Sequence, residues 1–220
     1  MPLTLLQRVA HENAPARRLL ARLWRAYAMR GLRPGGDNHL ALDRFYALPD
    51  PWDMASDREQ ARFRHTNALI QALAAPVGTL LEIGCGEAHQ SAHLAQVCQQ
   101  LDGVDVSARA VDRARARLPA ARFGVGALDA LPWPAPTGGR YDLVVACEVL
   151  YYMDDIGHAV QQMSTLGRAC LVSFFGPASR RVAVHLEGIE GLQRGWFQHA
   201  GQTWLWAYWR PLQAGAAPTP

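Results

Sequence analysis

Two carboxylates and two glycines are spaced so that they could bind a nucleoside. Glu82, Gly84 and Gly86 form the pattern Glu-x-Gly-Cys-Gly at the end of an apolar segment, where glycines let the backbone approach a ligand closely. Asp105 ends the next apolar segment, and a carboxylate there can accept hydrogen bonds from both ribose hydroxyls. His89 stands where a dinucleotide-binding turn has its third glycine. The pattern predicts a nucleoside ligand without phosphates; the alternative is that Asp105 only caps the following helix.

A second group of polar and aromatic side chains follows the most apolar segment of the chain. Glu148, Tyr151 and Tyr152 come directly after it, at the kind of strand end where open α/β sheets bind ligands. Tyrosine hydroxyls can hold an amine, and aromatic faces attract a cation. His158, further along, is a candidate base. We predict these four residues as catalytic, the alternatives being packing of a tyrosine ring and a solvated histidine.

The sequence predicts no metal site. His89 and His93 are four residues apart, a spacing that can bind a metal from a helix, but the sequence offers no third ligand. The four cysteines are scattered and form no C-x-x-C pair.

Strand-like and helix-like segments alternate from residue 79 onward and would position these groups. Strands are predicted over 79–86, 101–106, 121–126, 141–149 and 169–175, and helices over 87–99, 108–118 and 155–166. Ser107 can cap the second of these helices, and Asp154 or Asp155 the third. Residues 195–200 and 203–210 predict a closing antiparallel hairpin. The alternation predicts an α/β fold, a Rossmann-like doubly wound, mostly parallel seven-stranded sheet.

The N-terminal part is predicted to be helical. Residues 14–30 have an apolar face with arginines elsewhere, and residues 57–74 form a second helical segment. We expect the first helix to cover the site as a lid, through Leu19, Leu23, Trp24 and Tyr27. The predicted organisation is an N-terminal helical lid over 1–75, a core over 76–210 and a disordered tail over 211–220.

Length and charge limit the classes of function. The chain has 220 residues, half of them apolar, which suits one domain with an appendage. Residues 1–36 contain seven arginines and one acid, a pattern also found in proteins that bind nucleic acid or anionic membranes. The remaining residues are net acidic, so we predict no nucleic-acid partner. No apolar run is long enough for membrane insertion, and the scattered cysteines suit a reducing cytoplasm.

Residues 79–175 resemble the core of class I S-adenosylmethionine-dependent methyltransferases. The matching motifs are E-x-G-C-G, V-D-V-S, L-P-W and Y-D-L-V-V-x-x-E-V-L. The resemblance implies S-adenosylmethionine as cofactor, with Glu82 at its methionine amino end and Asp105 at its ribose. It also implies that Gly84 and Gly86 pass beneath the cofactor and that Val106 packs on the adenine.

The chain departs from this family's pattern after the third predicted strand. The family usually has Gly-Asp there, whereas this chain has Ala127 after the glycine, followed by Leu128, whose backbone N–H can still meet the adenine. Asp129 is a candidate substitute for the missing carboxylate. The complete set of predicted cofactor-binding residues is Trp52, Glu82, Gly84, Cys85, Gly86, Asp105, Val106, Ala127, Leu128 and Cys147.

The flanking motifs are similar to a narrower group. Asp50-Pro-Trp-Asp53 and Glu148-Val-Leu-Tyr-Tyr-Met153 resemble the nodulation protein S type of methyltransferase, which acts on a free amine of a chitin-derived oligosaccharide. The resemblance implies N-methylation of a small-molecule amine or amino sugar. Two alternatives stay open: an O-methyltransferase with His158 as base, and a cofactor-binding module without turnover, which Ala127 and the short region after residue 176 suggest.

Overall fold

A computed structural model describes residues 23, 26, 27, 39–134, 136 and 138–212. The strands are β1 (Thr79–Ile83), β2 (Gln100–Asp105), β3 (Arg122–Val125), β4 (Leu143–Cys147), β5 (Cys170–Phe175), β6 (Gln193–His199) and β7 (Gln202–Trp209). The α-helices are α1 (His39–Phe45), α2 (Asp57–Leu73), α3 (Ser91–Leu94), α4 (Ala108–Arg117), α5 (Ile156–Leu166) and α6 (Ser179–Ala183). Short 3₁₀ helices cover Leu150–Tyr152 and Gly176–Ala178.

All seven strands belong to one sheet, in the order β3-β2-β1-β4-β5-β7-β6. Strands β1 to β5 pair in parallel, and β7 and β6 close the sheet antiparallel. Ile83 lies opposite Val104 on one side and Ala146 on the other, so the carboxyl ends of β1, β2 and β4 are adjacent. The strand order reverses beside β1, which opens a crevice at those ends. The predicted fold class is confirmed.

The central parallel strands of the sheet are buried on both faces, as strands between layers of helices must be. Leu143, Val144, Val145 and Ala146 of β4 have no exposed surface. Such continuous apolar segments have no polar face to turn toward water, so they pack only where helices cover both sides. The rigid centre of the sheet therefore holds the strand ends in fixed positions around the crevice.

Most predicted elements are confirmed within a few residues, together with their caps. The helix predicted over 57–74 is α2, and the C-terminal hairpin is β6 and β7. The Ser107 side chain accepts a hydrogen bond from the Ala110 N–H, and Asp155 accepts one from the His158 N–H. These caps satisfy backbone donors that a helix leaves free at its first turn.

The helix predicted over 87–99 is wrong in most of its length, since only α3 is helical there. Ala88 has a φ of 60°, in the left-handed region, which a right-handed helix cannot include. The chain instead runs as a loop from Gly84 to Gln90 across the carboxyl end of the sheet.

Much of the predicted lid lies outside the described residues. Leu23 and Tyr27 are helical with exposed side chains, while Leu19 and Trp24 are not described. The lid role of residues 14–30 and the domain boundaries stay predictions. Of the predicted tail, the structure describes only positions 211 and 212. Within the described ranges, no helix is long and apolar enough to cross a membrane.

Candidate functional site

A cavity of about 470 Å³ lies at the carboxyl ends of β1, β2 and β4. All fourteen residues predicted as cofactor-binding or catalytic line it. The sequence therefore identifies the residues that the fold brings together, although their individual roles stay predictions. Strand ends explain most of this result, because parallel strands deliver the residues that follow them to one edge of the sheet. Trp52 is an exception, since it lies before the first strand.

Two features favour glycine at positions 84 and 86: the backbone conformation there, and the lack of space for a side chain. Their φ values are 70° and 53°, in the region that side chains disfavour. A Cβ at Gly84 would lie 2.5 Å from a methyl of Val149, and one at Gly86 would lie 2.8 Å from the Tyr46 hydroxyl. The loop thus presents bare backbone to the cavity.

Asp105 joins this loop to the start of α4. Its Oδ2 accepts a hydrogen bond from the Gly86 N–H and its Oδ1 one from the Ser107 N–H, both at 2.9 Å. Burial raises the pKa of Asp105, while these hydrogen bonds act in the opposite direction. The side chain that caps α4 is Ser107, so Asp105 does more than cap the helix: it fixes the glycine loop and lines the cavity.

Glu82 is a buried carboxyl group at the base of the cavity. It accepts a hydrogen bond from Ser91 Oγ at 2.5 Å. Burial raises the pKa of Glu82 to about 8, although Ser91 and the charge of Arg62 lower it. At neutral pH the carboxyl group therefore holds its proton most of the time.

Arg62 is a buried cation that the sequence analysis missed. Its guanidinium donates to Glu59 at 2.8 Å and to the Gln90 side-chain oxygen at 2.6 Å, and it lines the cavity. Burial lowers the pKa of Arg62, but the negative charges of Glu148 and Glu59 outweigh it and the pKa is raised. Arg62 therefore stays charged among several carboxyl groups. The sequence did contain one signal for Arg62. This arginine lies on the inward face of α2 together with Phe63 and other buried residues, at a position where an apolar residue is expected.

Glu148 occupies a strained position at the end of β4. Its φ is 61°, a left-handed conformation that few non-glycine residues adopt. Its carboxylate accepts hydrogen bonds from the Tyr151 hydroxyl at 3.0 Å and from Ser173 Oγ at 3.3 Å. Burial raises the pKa of Glu148, and Arg62 partly offsets this effect.

Tyr151 is a neutral hydrogen-bond donor in this wall of the cavity. Burial and the Glu148 charge raise its pKa well above the ordinary value for a tyrosine. Its ring contacts Tyr152, with ring centroids 4.6 Å apart. Both tyrosines therefore form an aromatic wall beside a buried carboxylate.

Residues 39–56, called here the cover segment, close one side of the cavity. Trp52 stacks on Phe45 with ring centroids 4.6 Å apart and lies 5.7 Å from Tyr152. The Trp52 indole N–H donates to the Tyr46 hydroxyl, which lies beside Gly86. Trp52, one of the predicted cofactor-binding residues, therefore lies in the wall of the cavity.

The cover segment is attached to α4 and its N-cap by polar and charged side chains. Arg113 donates to the Tyr46 carbonyl at 2.8 Å, and it also pairs with Glu87 of the glycine loop. Ser107 Oγ donates to Asp43 at 2.7 Å, and Arg109 pairs with the same carboxylate. The cover segment and the glycine loop are thus held by one face of α4.

Asp50, Glu87 and His89 form a cluster whose possible ligand atoms lie within 4.8 Å of one another. These atoms already have partners, since Glu87 pairs with Arg113 and Arg117 lies 3.0 Å from His89 Nε2. Arginine can only donate, so the lone pair of that histidine nitrogen is occupied. The cluster therefore helps to hold the cover segment. His93, the other histidine considered from the sequence, contacts Gln60 instead.

Comparison with known proteins gives consistent matches. The family model for nodulation protein S (NodS) matches residues 35–190. Nodulation protein S of Rhizobium tropici is 34% identical over 134 residues, which cover 60% of this chain and 55% of that protein. An uncharacterized methyltransferase of Mycobacterium tuberculosis (strain ATCC 25618 / H37Rv) is 28% identical over 147 residues, 62% of this chain and 74% of that protein.

A solved structure has the same fold. The crystal structure of the N-methyltransferase NodS from Bradyrhizobium japonicum WM9, in complex with S-adenosyl-L-homocysteine, matches with a TM-score of 0.67 and 23% identity. The match covers 81% of this chain and 100% of that one. Against the full curated sequences, the chain spans about half the length of the nodulation proteins S that it matches.

Proposed function

Because the chain belongs to the nodulation protein S family, we propose that it transfers the methyl group of S-adenosylmethionine to the nitrogen of a small-molecule amine, such as an amino sugar. The observation that carries the proposal is the single cavity in which Asp105 and the glycine loop lie on one side and Glu148 with the tyrosines on the other. One side suits a nucleoside and the other suits an amine, so donor and acceptor would meet between them.

The residues present fit this cofactor. Gly84 and Gly86 line the cavity without side chains, so a cofactor could approach their backbone closely. Asp105 would accept hydrogen bonds from the ribose hydroxyls. Arg62 and Glu82 carry opposite charges when both are ionised, so they would hold the carboxylate and the ammonium of an amino-acid group.

When bound, S-adenosylmethionine supplies an electrophilic methyl group on a sulfonium. An amine acceptor would have to be neutral, because its lone pair would form the new N–C bond as the methyl group leaves the sulfur, and the nitrogen would afterwards have to lose a proton. Glu148 would orient an N–H of the amine and accept that proton, while the Tyr151 hydroxyl keeps the carboxylate in place. Trp52 and the cover segment would exclude water from the reacting atoms.

We expect S-adenosylmethionine to be consumed with amino sugars or simple amines, at a rate that rises with pH toward the pKa of the amine. Glu148→Gln should lower kcat/KM by roughly 10²-fold, because the amide cannot accept the proton. The measurement is the formation of S-adenosylhomocysteine with matched amine and hydroxyl compounds. Glu190→Gln, an exposed change outside the cavity, is the control.

Two outcomes would contradict this proposal. Methylation of hydroxyl compounds alone, abolished by His158→Ala, would favour O-methylation with a histidine base. Tight binding of a nicotinamide dinucleotide, without binding of S-adenosylhomocysteine, would contradict the assignment of the cofactor.

A proton should leave Glu82 when the cofactor binds. Because the carboxyl group is protonated up to a pH of about 8, an ammonium beside it would favour ionisation. We expect S-adenosylhomocysteine binding at pH 7 to release up to about one proton, and the affinity to rise with pH until about 8. Calorimetry in buffers of different ionisation enthalpy measures the proton directly. Glu82→Gln should abolish this proton release. If the variant releases the same number of protons as the wild type, the proton comes from a group other than Glu82.

The same group makes the stability of the free protein depend on pH. Between the ordinary value of 4.5 and about 8, the folded protein keeps a proton at Glu82 that the unfolded chain has lost. The free energy of unfolding therefore falls as pH rises through this window. Glu82→Gln should flatten this part of the profile, as measured by urea unfolding at several pH values.

A further inference from the structure

Three aromatic rings meet beside Glu148 in the wall of the cavity. Tyr152 lies between the other two, with its ring centroid 4.6 Å from that of Tyr151 and 5.7 Å from that of Trp52. The ring planes are tilted by 52° and 49° in these two pairs, so the rings stand at an angle to one another. The carboxylate and the three rings all line the cavity. These four residues are called here the aromatic corner.

Trp52 contributes one aromatic face to the corner. Phe45 covers its opposite face, with nearly parallel rings whose centroids are 4.6 Å apart. Phe45 has no exposed surface and lies behind the cavity wall. The indole N–H is already used, because it donates to the Tyr46 hydroxyl. An indole has no other polar hydrogen, so Trp52 presents a ring surface to a ligand rather than a hydrogen-bonding group.

Glu148 is the charged acceptor of the corner, and two of its acceptor sites are occupied. Its Oε2 accepts from the Tyr151 hydroxyl and its Oε1 from Ser173 Oγ. A carboxylate has about four lone-pair sites, so roughly two stay available to a ligand. A primary ammonium group brings three N–H donors, which is more than this carboxylate can then accept. Because a buried N–H without an acceptor is unfavourable, a primary ammonium fits the corner incompletely.

A methylated ammonium group fits the corner better. Each methyl group replaces one N–H and shares the positive charge, so fewer acceptors are needed and more of the charged surface can contact aromatic faces. Aromatic cages bind quaternary ammonium and methylated lysine groups in this way. The rings of Tyr152 and Trp52 offer such faces, and Glu148 keeps an acceptor for a remaining N–H.

We propose that the aromatic corner binds amines that already carry a methyl group, and that the chain methylates its own monomethylated product a second time. The inference rests on the proposed function and extends its acceptor class from primary to secondary amines. In the second transfer, the lone pair of the neutral secondary amine would form a new N–C bond as the methyl group leaves the sulfur of a second cofactor molecule. The proton of the resulting tertiary ammonium would pass to Glu148 and then to water, and S-adenosylhomocysteine would be released.

The test uses D-glucosamine and its N-methyl derivative with the full chain and an excess of S-adenosylmethionine. Mass spectrometry should show the dimethylamine as a product of both compounds. When kcat/KM is calculated for the neutral fraction of each amine, the value for the N-methyl derivative should be at least equal to that for glucosamine.

Tyr152→Leu removes one ring face of the corner. It should lower kcat/KM for the N-methyl derivative about fivefold more than kcat/KM for glucosamine. Tyr152→Phe keeps the ring and should keep the wild-type ratio of the two values, which a general loss of structure would not explain. Trp196→Leu removes an exposed ring outside the cavity and is the matched control. A fall of the ratio in this control equal to that in Tyr152→Leu would overturn the inference.

A binding measurement tests the corner without turnover. Choline and 3,3-dimethylbutan-1-ol have the same shape, but only choline is a cation. Calorimetry with the chain saturated with S-adenosylhomocysteine should show tighter binding of choline by about tenfold or more, and Tyr152→Leu should reduce this preference. Equal affinity for the two compounds would overturn the inference, whatever amine the chain methylates.

The failure of this inference can be distinguished from that of the proposed function. Formation of the monomethylamine alone from glucosamine, without turnover of the N-methyl derivative, would overturn the inference and leave the proposed function intact. Methylation of hydroxyl analogues alone would overturn the proposed function and this inference together.

Discussion

Asp105→Ala should weaken the binding of S-adenosylhomocysteine by about 1.5–3 kcal/mol, the scale of hydrogen bonds to a charged acceptor. Two ribose hydroxyls would lose their acceptor, and the Gly86 N–H would lose the carboxylate that fixes the glycine loop. Both losses act on the same ligand, so the effect on affinity should exceed that of any other single change on the nucleoside side. Isothermal titration of the wild-type protein and the variant measures it.

Asp105→Asn separates the two contributions. The amide keeps one oxygen, which can still accept from the Gly86 or the Ser107 N–H, but it cannot accept from both backbone groups and from a ribose. We expect its affinity to lie between those of the wild type and of Asp105→Ala. Equal affinity in all three proteins would rule out a role for Asp105 at the ribose, provided that thermal unfolding shows each variant to be folded.

The strands and the site could be predicted from the sequence for a common physical reason. A strand buried on both faces must be apolar throughout, so segments such as 143–147 stand out from their surroundings. Polar residues that follow such segments, such as Glu148 and Asp105, are delivered to one edge of the sheet by the parallel arrangement. Knowledge of where a strand ends therefore predicts those cavity residues that follow strands, but not those, such as Arg62, that α2 and the cover segment contribute.

The loop after β1 could not be predicted in the same way. Its alanine and polar residues favour a helix locally, but Ala88 is held in a left-handed conformation that backbone contacts impose. The Ala88 N–H donates to the Cys85 carbonyl, and Asp105 fixes Gly86 from another strand. Tertiary contacts of this kind override local propensity and leave no pattern in the segment itself.

The contribution of the N-terminal region to the site was predicted only in part. A helical lid was expected at 14–30, whereas the described contacts over the cavity come from the cover segment at 39–56. Prolines in this segment suggest irregular structure, and such structure carries no periodicity that shows which face is buried. The segment is attached to α4 by arginines such as Arg113, which donate to backbone carbonyls. Such contacts cannot be predicted from the sequence, because they depend on the relative positions of the two elements.

Arg62 and Arg58 provide a comparison in which one carboxylate has two arginine partners. Both lie on α2 and both donate to Glu59, Arg62 at 2.8 Å and Arg58 at 3.1 Å. Their surroundings differ, because the Arg62 side chain is 2% exposed and the Arg58 side chain is 40% exposed. The two replacements should therefore differ in their effect on the free energy of unfolding, because the two side chains differ in burial.

Arg62→Met should destabilise the protein by about 3–5 kcal/mol, because it leaves Glu59 and Glu148 as buried charges without their shared cation. Arg58→Met removes an exposed partner of Glu59 and should cost less than about 1 kcal/mol. Urea unfolding of both variants measures the two values. The loss in Arg62→Met should shrink at acidic pH, since burial raises the pKa of Glu148 and its protonated form no longer needs a cation, whereas the Arg58 variant should follow the wild type. Equal losses in the two variants, or a loss in Arg62→Met that does not change with pH, would mean that the guanidinium contributes packing rather than charge compensation beneath the cavity.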